Sequence, residues 1–505
     1  MSSVSTDLDL DAPSASQRWA ILITVVLAVT LYGMTILIVT VLLPQMQGSL
    51  SATRDQIAWV MTFNILATAV VTPMTGWLAA RFGRRNVMLG GVGGFAVATI
   101  ACGLADNLVP LVLYRIVQGA CGAPLVPLGQ AIILDSFPKR QHGMATSLFG
   151  MGVVIGPAIG PTLGGYLAEE YNWRWAFFMI VPFATAALLG LFVFLNEKGR
   201  QADVRLDWTG FLALSAAIVA LQLMLDRGQR QDWFESPEII IEASVAVVAF
   251  YIFVVHSLTA KKPFLNPKLL LDRNYTIGLV IVTVYGMLNF TPMVLLPPML
   301  QNLMGFPDSI IGTVVAARGA GAVIGFFMAM YIGKLDPRIG MAGGFAFQGL
   351  SGLMMAGFDF NTTFADVALV SGMQGIAVGV VWVPLTVATF ATLSPRYLAE
   401  GSAVYHLLRN LGSSIFISGS VTLAIVTTRM NYAGLTEYIS PYNENLAYAT
   451  ITGGWNIDSV AGLAGLSGEI GRQAAMIGYL NAHWAYALTC FLVVPLVLLV
   501  RVKPR

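Results

Sequence analysis

Three arginines, Arg115, Arg318 and Arg409, each fall inside an otherwise apolar stretch long enough to cross a lipid bilayer. An arginine at the middle of a membrane helix costs about 2.5 to 3.5 kcal/mol on insertion scales, so each needs a polar surrounding. Gln118 follows Arg115 by three residues and His406 precedes Arg409 by three, spacings that put each pair on one helix face. No Asp or Glu falls near the centre of any apolar stretch, so no acid is at hand to neutralise the guanidinium groups. The five side chains are therefore expected to line a substrate and coupling cavity that favours amphipathic compounds with an anionic group, or to be shielded by water and helix carbonyls. His406 is the candidate proton carrier, because imidazole titrates near neutral pH; a histidine hydrogen-bonded within a packed bundle is the competing reading.

Other chemistry is absent. Gly333-Lys334 is followed by Leu335 rather than Ser or Thr, so there is no phosphate-binding loop, and neither an H-E-x-x-H nor a nucleophile-elbow motif occurs. Cys102, Cys121 and Cys490 lie in apolar stretches without paired spacing and read as packing residues. No enzymatic activity, cofactor or metal site is expected.

The elements that must position these residues follow from composition. Of 505 residues, 56% are hydrophobic and only 11% charged, against about 25% charged in soluble domains. Too few ionic groups exist to cover a globule in water, so the solvent is lipid. A formal charge of +2 gives no field for nucleic acid. A 19-residue hydropathy window yields fourteen candidate spans, the first near 20–43 and the last near 482–501. Asp7, Asp9 and Asp11 precede the first of them, unlike the basic start of a secretory signal, so that segment is expected to be retained. Most of the 28 Lys and Arg lie in the tails and the even-to-odd loops, which predicts both termini in the cytoplasm.

The chain also repeats itself. Val41-Leu42-Leu43-Pro44-Gln45-Met46, ending the first span, recurs as Val294-Leu295-Leu296-Pro297-Pro298-Met299, ending the ninth. Gly76, Arg81 and Gly83 after the second span recur as Gly333, Arg338 and Gly340, and Gln118-Gly119 in the fourth recurs as Gln374-Gly375 in the twelfth. A shared displacement in three regions predicts two parallel six-helix halves, with two further helices between them and a midplane cavity. The expected division is a cytoplasmic tail over 1–18, a first bundle over 19–196, two inserted helices over 209–258 and a second bundle over 275–501, with an external loop over 429–481.

Three motifs carry a family resemblance. The loop after span two reads Gly76-Trp77-Leu78-Ala79-Ala80-Arg81-Phe82-Gly83-Arg84-Arg85. Its glycines let helix ends approach and turn, while its arginines can hold neighbouring helix C-termini. It resembles the loop signature of the major facilitator superfamily, although Ala80 stands where many members carry an aspartate. Span five contains Gly152, Gly156-Pro157, Gly160-Pro161 and Gly164-Gly165, small residues that clear a groove and prolines that permit a bend. It is similar to the motif of that superfamily's exporters. Arg115 with Gln118-Gly119 resembles its third motif. Asn172-Trp173-Arg174-Trp175, Leu225-Asp226-Arg227-Gly228 and Arg409-Asn410-Leu411-Gly412 resemble the fourteen-span drug:proton antiporter branch, the Emr type. Thr35 and Thr40 stand where many members of that branch place an aspartate and an asparagine.

The resemblance implies an all-α polytopic membrane protein of the major facilitator fold with fourteen spans. It implies a proton-coupled efflux antiporter in the cytoplasmic (inner) membrane, working by alternating access on small hydrophobic or amphipathic substrates. Gly76, Arg81, Gly83, Arg84 and Arg85 would form a cytoplasmic gating loop. In Gram-negative relatives it further implies a periplasmic adaptor protein and an outer-membrane channel as partners, for which the loop over 429–481 is the expected docking surface. A dedicated exporter of a metabolite, lipid or siderophore is the nearest alternative; a non-transporting membrane sensor is the more distant one. The 27 Phe and 22 Met suit a deformable apolar pocket, but mostly face lipid and other helices in any membrane protein.

Overall fold

In lipid every backbone N–H and C=O must find a partner within the chain, and a long apolar segment achieves this only as a helix. The computed structural model describes residues 14–197, 205–332, 336–440, 442–443, 446, 457 and 459–501, and the described regular structure is helical throughout. Residues 1–13 of the tail, the Gly333-Lys334 pair, and Glu444, Trp455 and Asp458 of the expected external loop lie outside the described residues.

The first six predicted spans form α1 (Ala15–Ser49), α2 (Arg54–Val71), α3 (Thr75–Phe82), α4 (Arg84–Gly103), α5 (Leu108–Gly122), α6 (Leu125–Ser136), α7 (His142–Glu170), α8 (Trp173–Phe178) and α9 (Ile180–Phe194). Spans two, four and six are each two helices in near-continuous line. A 3-10 turn over Thr72–Met74, with Pro73 inside it, separates α2 from α3, and Pro124 stands between α5 and α6. Proline removes a backbone donor and breaks the ladder there, which a hydropathy window does not register. Two inserted helices follow, α10 (Trp208–Arg227) and α11 (Pro237–Thr259). The remainder is α12 (Arg273–Asn302), α13 (Asp308–Ile332), α14 (Pro337–Met355), α15 (Phe364–Phe390), α16 (Leu398–Thr436) and α17 (Val460–Val497). Thirteen of these segments are long and apolar enough to cross a bilayer, and α14, with 19 residues, is the remaining predicted span.

The packing repeats as the sequence does. In the first bundle α1 packs on α7 and α2 on α5; in the second, α12 packs on α16 and α13 on α15. The halves meet along two seams, one where α7 touches α13 and α15, the other where α16 touches α3 and α6. The inserted pair packs mainly on itself, with α10 reaching α2 and α16 beside the second seam. Most of α11 is left open: Val247 and Tyr251 are largely exposed, as suits a helix wrapped by lipid.

One difference from expectation concerns the connection between α16 and α17. The segment over 429–481 was expected to lack secondary structure, yet α16 runs to Thr436 and α17 begins at Val460, capped by the Ser459 hydroxyl on the Gly462 N–H at 3.1 Å. These extensions carry Arg429, Asn431, Glu469, Arg472 and Gln473 with several glycines, which lower the mean hydropathy without breaking the helix. Tyr432 and Ser467 hydroxyls meet across them at 2.8 Å.

Buried arginines as candidate functional site

Among the described residues, the buried basic side chains are Arg115, Arg318, Arg409, His406 and His483; no Asp or Glu is buried. Each arginine therefore rests on neutral acceptors.

Arg115, on α5, is 1% exposed. Its Nε donates to the Val60 carbonyl at 3.2 Å and Nη1 to the Thr35 carbonyl at 3.5 Å and to Gln118 Oε1. Gln118 passes the chain on, donating from Nε2 to Thr99 Oγ1 at 2.7 Å. Asn64 on α2 donates to the Arg115 carbonyl at 2.8 Å. The adjacent Gly119 is needed because a Cβ there would run into the Asn64 carbonyl.

Arg318, on α13, rebuilds this arrangement in the second half. Nε donates to Gln374 Oε1 at 2.5 Å, and Nη2 donates to the carbonyl of Asn289 at 2.5 Å and to its Oδ1 at 2.9 Å. Gln374 in turn donates to the Tyr486 hydroxyl at 3.2 Å. Gln374 is the repeat counterpart of Gln118, and Thr35 and Asn289 both stand near the middle of their helices, α1 and α12. Each half thus holds one arginine between a glutamine of its fourth helix and a carbonyl of its first. The arginine itself comes from a different helix in each half: the fourth span of the first, the second span of the other.

Arg409, on α16, differs. Its Nε and Nη2 donate only to Oδ1 of the neighbouring Asn410, at 3.3 and 3.1 Å, and its guanidinium lies 5.4 Å from the centre of the Trp382 ring. It is 9% exposed. Tyr285 and Tyr405 stack on the same Trp382, with centroids at 5.4 and 5.7 Å, making an aromatic wall beside the cation. Tyr32 stands within electrostatic reach of both Arg115 and Arg409, and Tyr285 within reach of both Arg318 and Arg409.

His406 lies one turn before Arg409, and its Nε2 bonds Gln130 Oε1 of α6. This bond joins side chains of opposite halves. The other side of each group, His406 Nδ1 and Gln130 Nε2, has no partner among the described residues. Gln130, Gln374, Asn289 and Trp382 were not among the expected site residues. A mid-span glutamine or asparagine carries the same warning as a mid-span arginine, at lower cost, and that signal would have found the first three.

The two glycine-rich motifs lie apart from these arginines. In the loop, Gly76 lets the α16 backbone cross, since a Cβ would stand 2.8 Å from the Glu400 Cα. Gly83 turns between α3 and α4 at φ +89°, a left-handed value that favours glycine. Arg81 sits in the last turn of α3, where a cation meets the helix's open carbonyls. Arg84 bridges the halves, donating to Asp135 at 3.1 Å and to the Pro395 carbonyl at 3.1 Å, while Arg85 donates to the Phe192 carbonyl at 2.8 Å. On α7, Gly152, Gly156, Gly160 and Gly164 all face α1, against Val26, Thr30, Met34 and Ile38 in turn. Gly165 faces open space, and Pro157 packs against Gly33 of α1. Pro161, within α7 like Pro157, is half-buried.

A family model described as Major Facilitator Superfamily matches residues 25–417. The chain is 36% identical over 414 residues to Multidrug export protein EmrB of Escherichia coli (strain K12), covering 81% of this chain and 80% of that protein. It is 30% identical to Fatty acid resistance protein FarB of Neisseria gonorrhoeae, covering 94% of each. Among solved structures, the crystal structure of the human organic anion transporter MFSD10 (TETRAN) superposes with a TM-score of 0.61 at 14% identity, over 94% of this chain and 99% of that one. The proton:xylose symporter XylE superposes at 0.60 with 13% identity, over 96% and 97%. These two likenesses concern the fold. With both sequence and fold in agreement, the chain belongs to the Major Facilitator Superfamily, among its Emr-type transporters.

Proposed function

We propose that this chain is a multidrug efflux transporter of the cytoplasmic membrane, exchanging hydrophobic or amphipathic toxic compounds for protons by alternating access, with both termini in the cytoplasm. The observation that carries the reading is Arg409: a cation at the seam of two halves, flanked by an aromatic wall, whose only hydrogen-bond acceptor among the described residues is its own neighbour. A desolvated guanidinium on an aromatic face is a receptor for a carboxylate or acidic phenol carried on a hydrophobic body. Arg115 and Arg318 have their donors committed to carbonyls and glutamines and serve to set the cavity's positive potential. His406, bonded across the halves to Gln130, is the proposed proton carrier, and Gly76 to Arg85 with Glu400 the proposed inner gate. The name of the relative FarB favours fatty acids as one substrate class, which matches a cationic apolar pocket. An adaptor protein and an outer-membrane channel are the proposed partners, with the extended ends of α16 and α17 as the docking surface.

The test uses everted vesicles holding a preformed pH gradient. Addition of an amphipathic sulfonate, whose acid group stays ionised and carries no proton through lipid by itself, should discharge the gradient in vesicles carrying the chain and not in those carrying His406→Phe. Saturable substrate flux with no proton movement would replace antiport with facilitated export; no response of either kind from folded protein would favour a sensor.

A further inference from the structure

At the basic end of the bundle a cavity of about 1080 Å3 opens where three parts of the chain meet: the end of α3, the connection between α11 and α12, and the turn before α16. Three carboxylates line it and all are engaged. Asp135 holds Arg84 at 3.1 Å. Asp207 accepts from His256 Nε2 at 2.9 Å, from the Phe264 N–H at 3.0 Å and from the Gly210 N–H at 3.1 Å. Glu400 accepts from the Asn266 N–H at 2.6 Å. Five further cations line the same cavity, Arg205, Lys261, Lys262, Lys268 and Arg396, and no described carboxylate pairs with any of them.

Cations placed only to orient a membrane protein need no common target and gain hydration by spreading apart. Here they line one concave space whose acids are already occupied, so the space carries a net positive field that a polyvalent or phosphate-bearing anion would neutralise. The rim supplies a second observation. Trp208, Leu258 and Leu271, next to or near Asp207, Lys261 and Lys268 in the chain, are 63%, 72% and 82% exposed. Exposed tryptophan and leucine beside clustered lysines mark the depth at which headgroups give way to acyl chains.

We infer that this cavity binds the phosphodiester headgroup of an anionic phospholipid, joining the α11–α12 connection to the start of α16. It gives the inserted helices a function. Residues 264–266 already hold Asp207 and Glu400 through backbone N–H groups, and Glu400 packs on Gly76 of the first half. A headgroup shared by Lys261, Lys262, Lys268 and Arg396 strengthens that strap and holds the basic end of the seam closed.

The experiment is thermal unfolding of the full-length purified chain in a neutral detergent, titrated with dioleoyl phosphatidylglycerol, dioleoyl phosphatidylcholine or inorganic phosphate. Phosphatidylglycerol should raise the midpoint saturably and phosphatidylcholine should not. In Lys261→Gln/Lys262→Gln/Lys268→Gln the apparent affinity for phosphatidylglycerol should fall on the order of a hundredfold, because each lysine near an anionic surface contributes several-fold. Lys261→Arg/Lys262→Arg/Lys268→Arg keeps the charge and should keep the response, which separates loss of the site from damage to the fold. Equal stabilisation by both lipids, or an undiminished phosphatidylglycerol response in the glutamine variant, would overturn the inference. A response to phosphate without one to phosphatidylglycerol would overturn the lipid assignment.

Discussion

Replacing each arginine by alanine should separate two kinds of cation. Arg318 makes three hydrogen bonds of 2.5 to 2.9 Å to Gln374 and Asn289. Hydrogen bonds to charged groups contribute about 1.5 to 3 kcal/mol each, and each buried neutral acceptor left without a donor costs about 1 to 3 kcal/mol. Arg318→Ala and Arg115→Ala both leave a buried glutamine oxygen without its donor and take a second donor from helix carbonyls, so both should unfold markedly earlier. Arg409→Ala gives up two bonds to the one Asn410 oxygen, at 3.3 and 3.1 Å, and a cation–aromatic contact of roughly 0.5 to 2 kcal/mol, and it also removes the cost of holding a charge with a single acceptor. Its stability should stay near that of the parent. Its transport should not: efflux of a carboxylate-bearing amphiphile should fall at least tenfold, while efflux of a permanent lipophilic cation falls less. The measurements are denaturant or thermal midpoints in detergent alongside accumulation assays in a hypersensitive host. The reasoning is refuted if Arg409→Ala destabilises as much as Arg318→Ala, or if it exports both substrates equally well.

Three further outcomes follow from particular contacts. Gly156→Leu should abolish folded protein, because its Cβ would stand against the Thr30 carbonyl and overpacking costs about 1 to 3 kcal/mol before any backbone shift; Gly165→Leu, in open space, should be tolerated, as read by yield on size exclusion. Gly83→Ala should destabilise by about 1 to 2 kcal/mol, since alanine resists φ +89°, whereas Gly90→Ala on the open face of α4 should be neutral or stabilising. Gln130→Leu removes the acceptor of His406 and should alter the pH profile of transport while leaving substrate affinity within a few-fold, measured by flux against external pH and by equilibrium binding.

Much of this was legible in the residues because lipid leaves little choice. The helix positions, the repeat and the three interior cations all follow from the rule that an apolar segment must be helical and that charge inside it is expensive. The breaks at Pro73 and Pro124 and the lengths of α16 and α17 escaped, since a window average blurs a local turn and undervalues an extension that carries charged residues and glycines. Partner choice escaped more completely. Gln118 was legible as a partner of Arg115 because both stand on one helix, three apart. Gln374 and Asn289 reach Arg318 from two other helices, and Gln130 reaches His406 from the opposite half, 276 residues away. Such pairings depend on how helices cross, which spacing along one chain does not encode. The uneven bonding of the three arginines was equally invisible: the sequence marks them alike, and only their acceptors set Arg409 apart.

Alternating access to the arginine cavity is the central claim, and one position tests it most directly. Ser413, one turn beyond Arg409 on α16, can be replaced by cysteine in a chain lacking Cys102, Cys121 and Cys490. Labelling by a membrane-impermeant maleimide in right-side-out and everted vesicles should proceed from one face at a time, with substrate shifting the balance between faces. Equal labelling from both faces, or none from either in the presence and absence of substrate, would contradict the account.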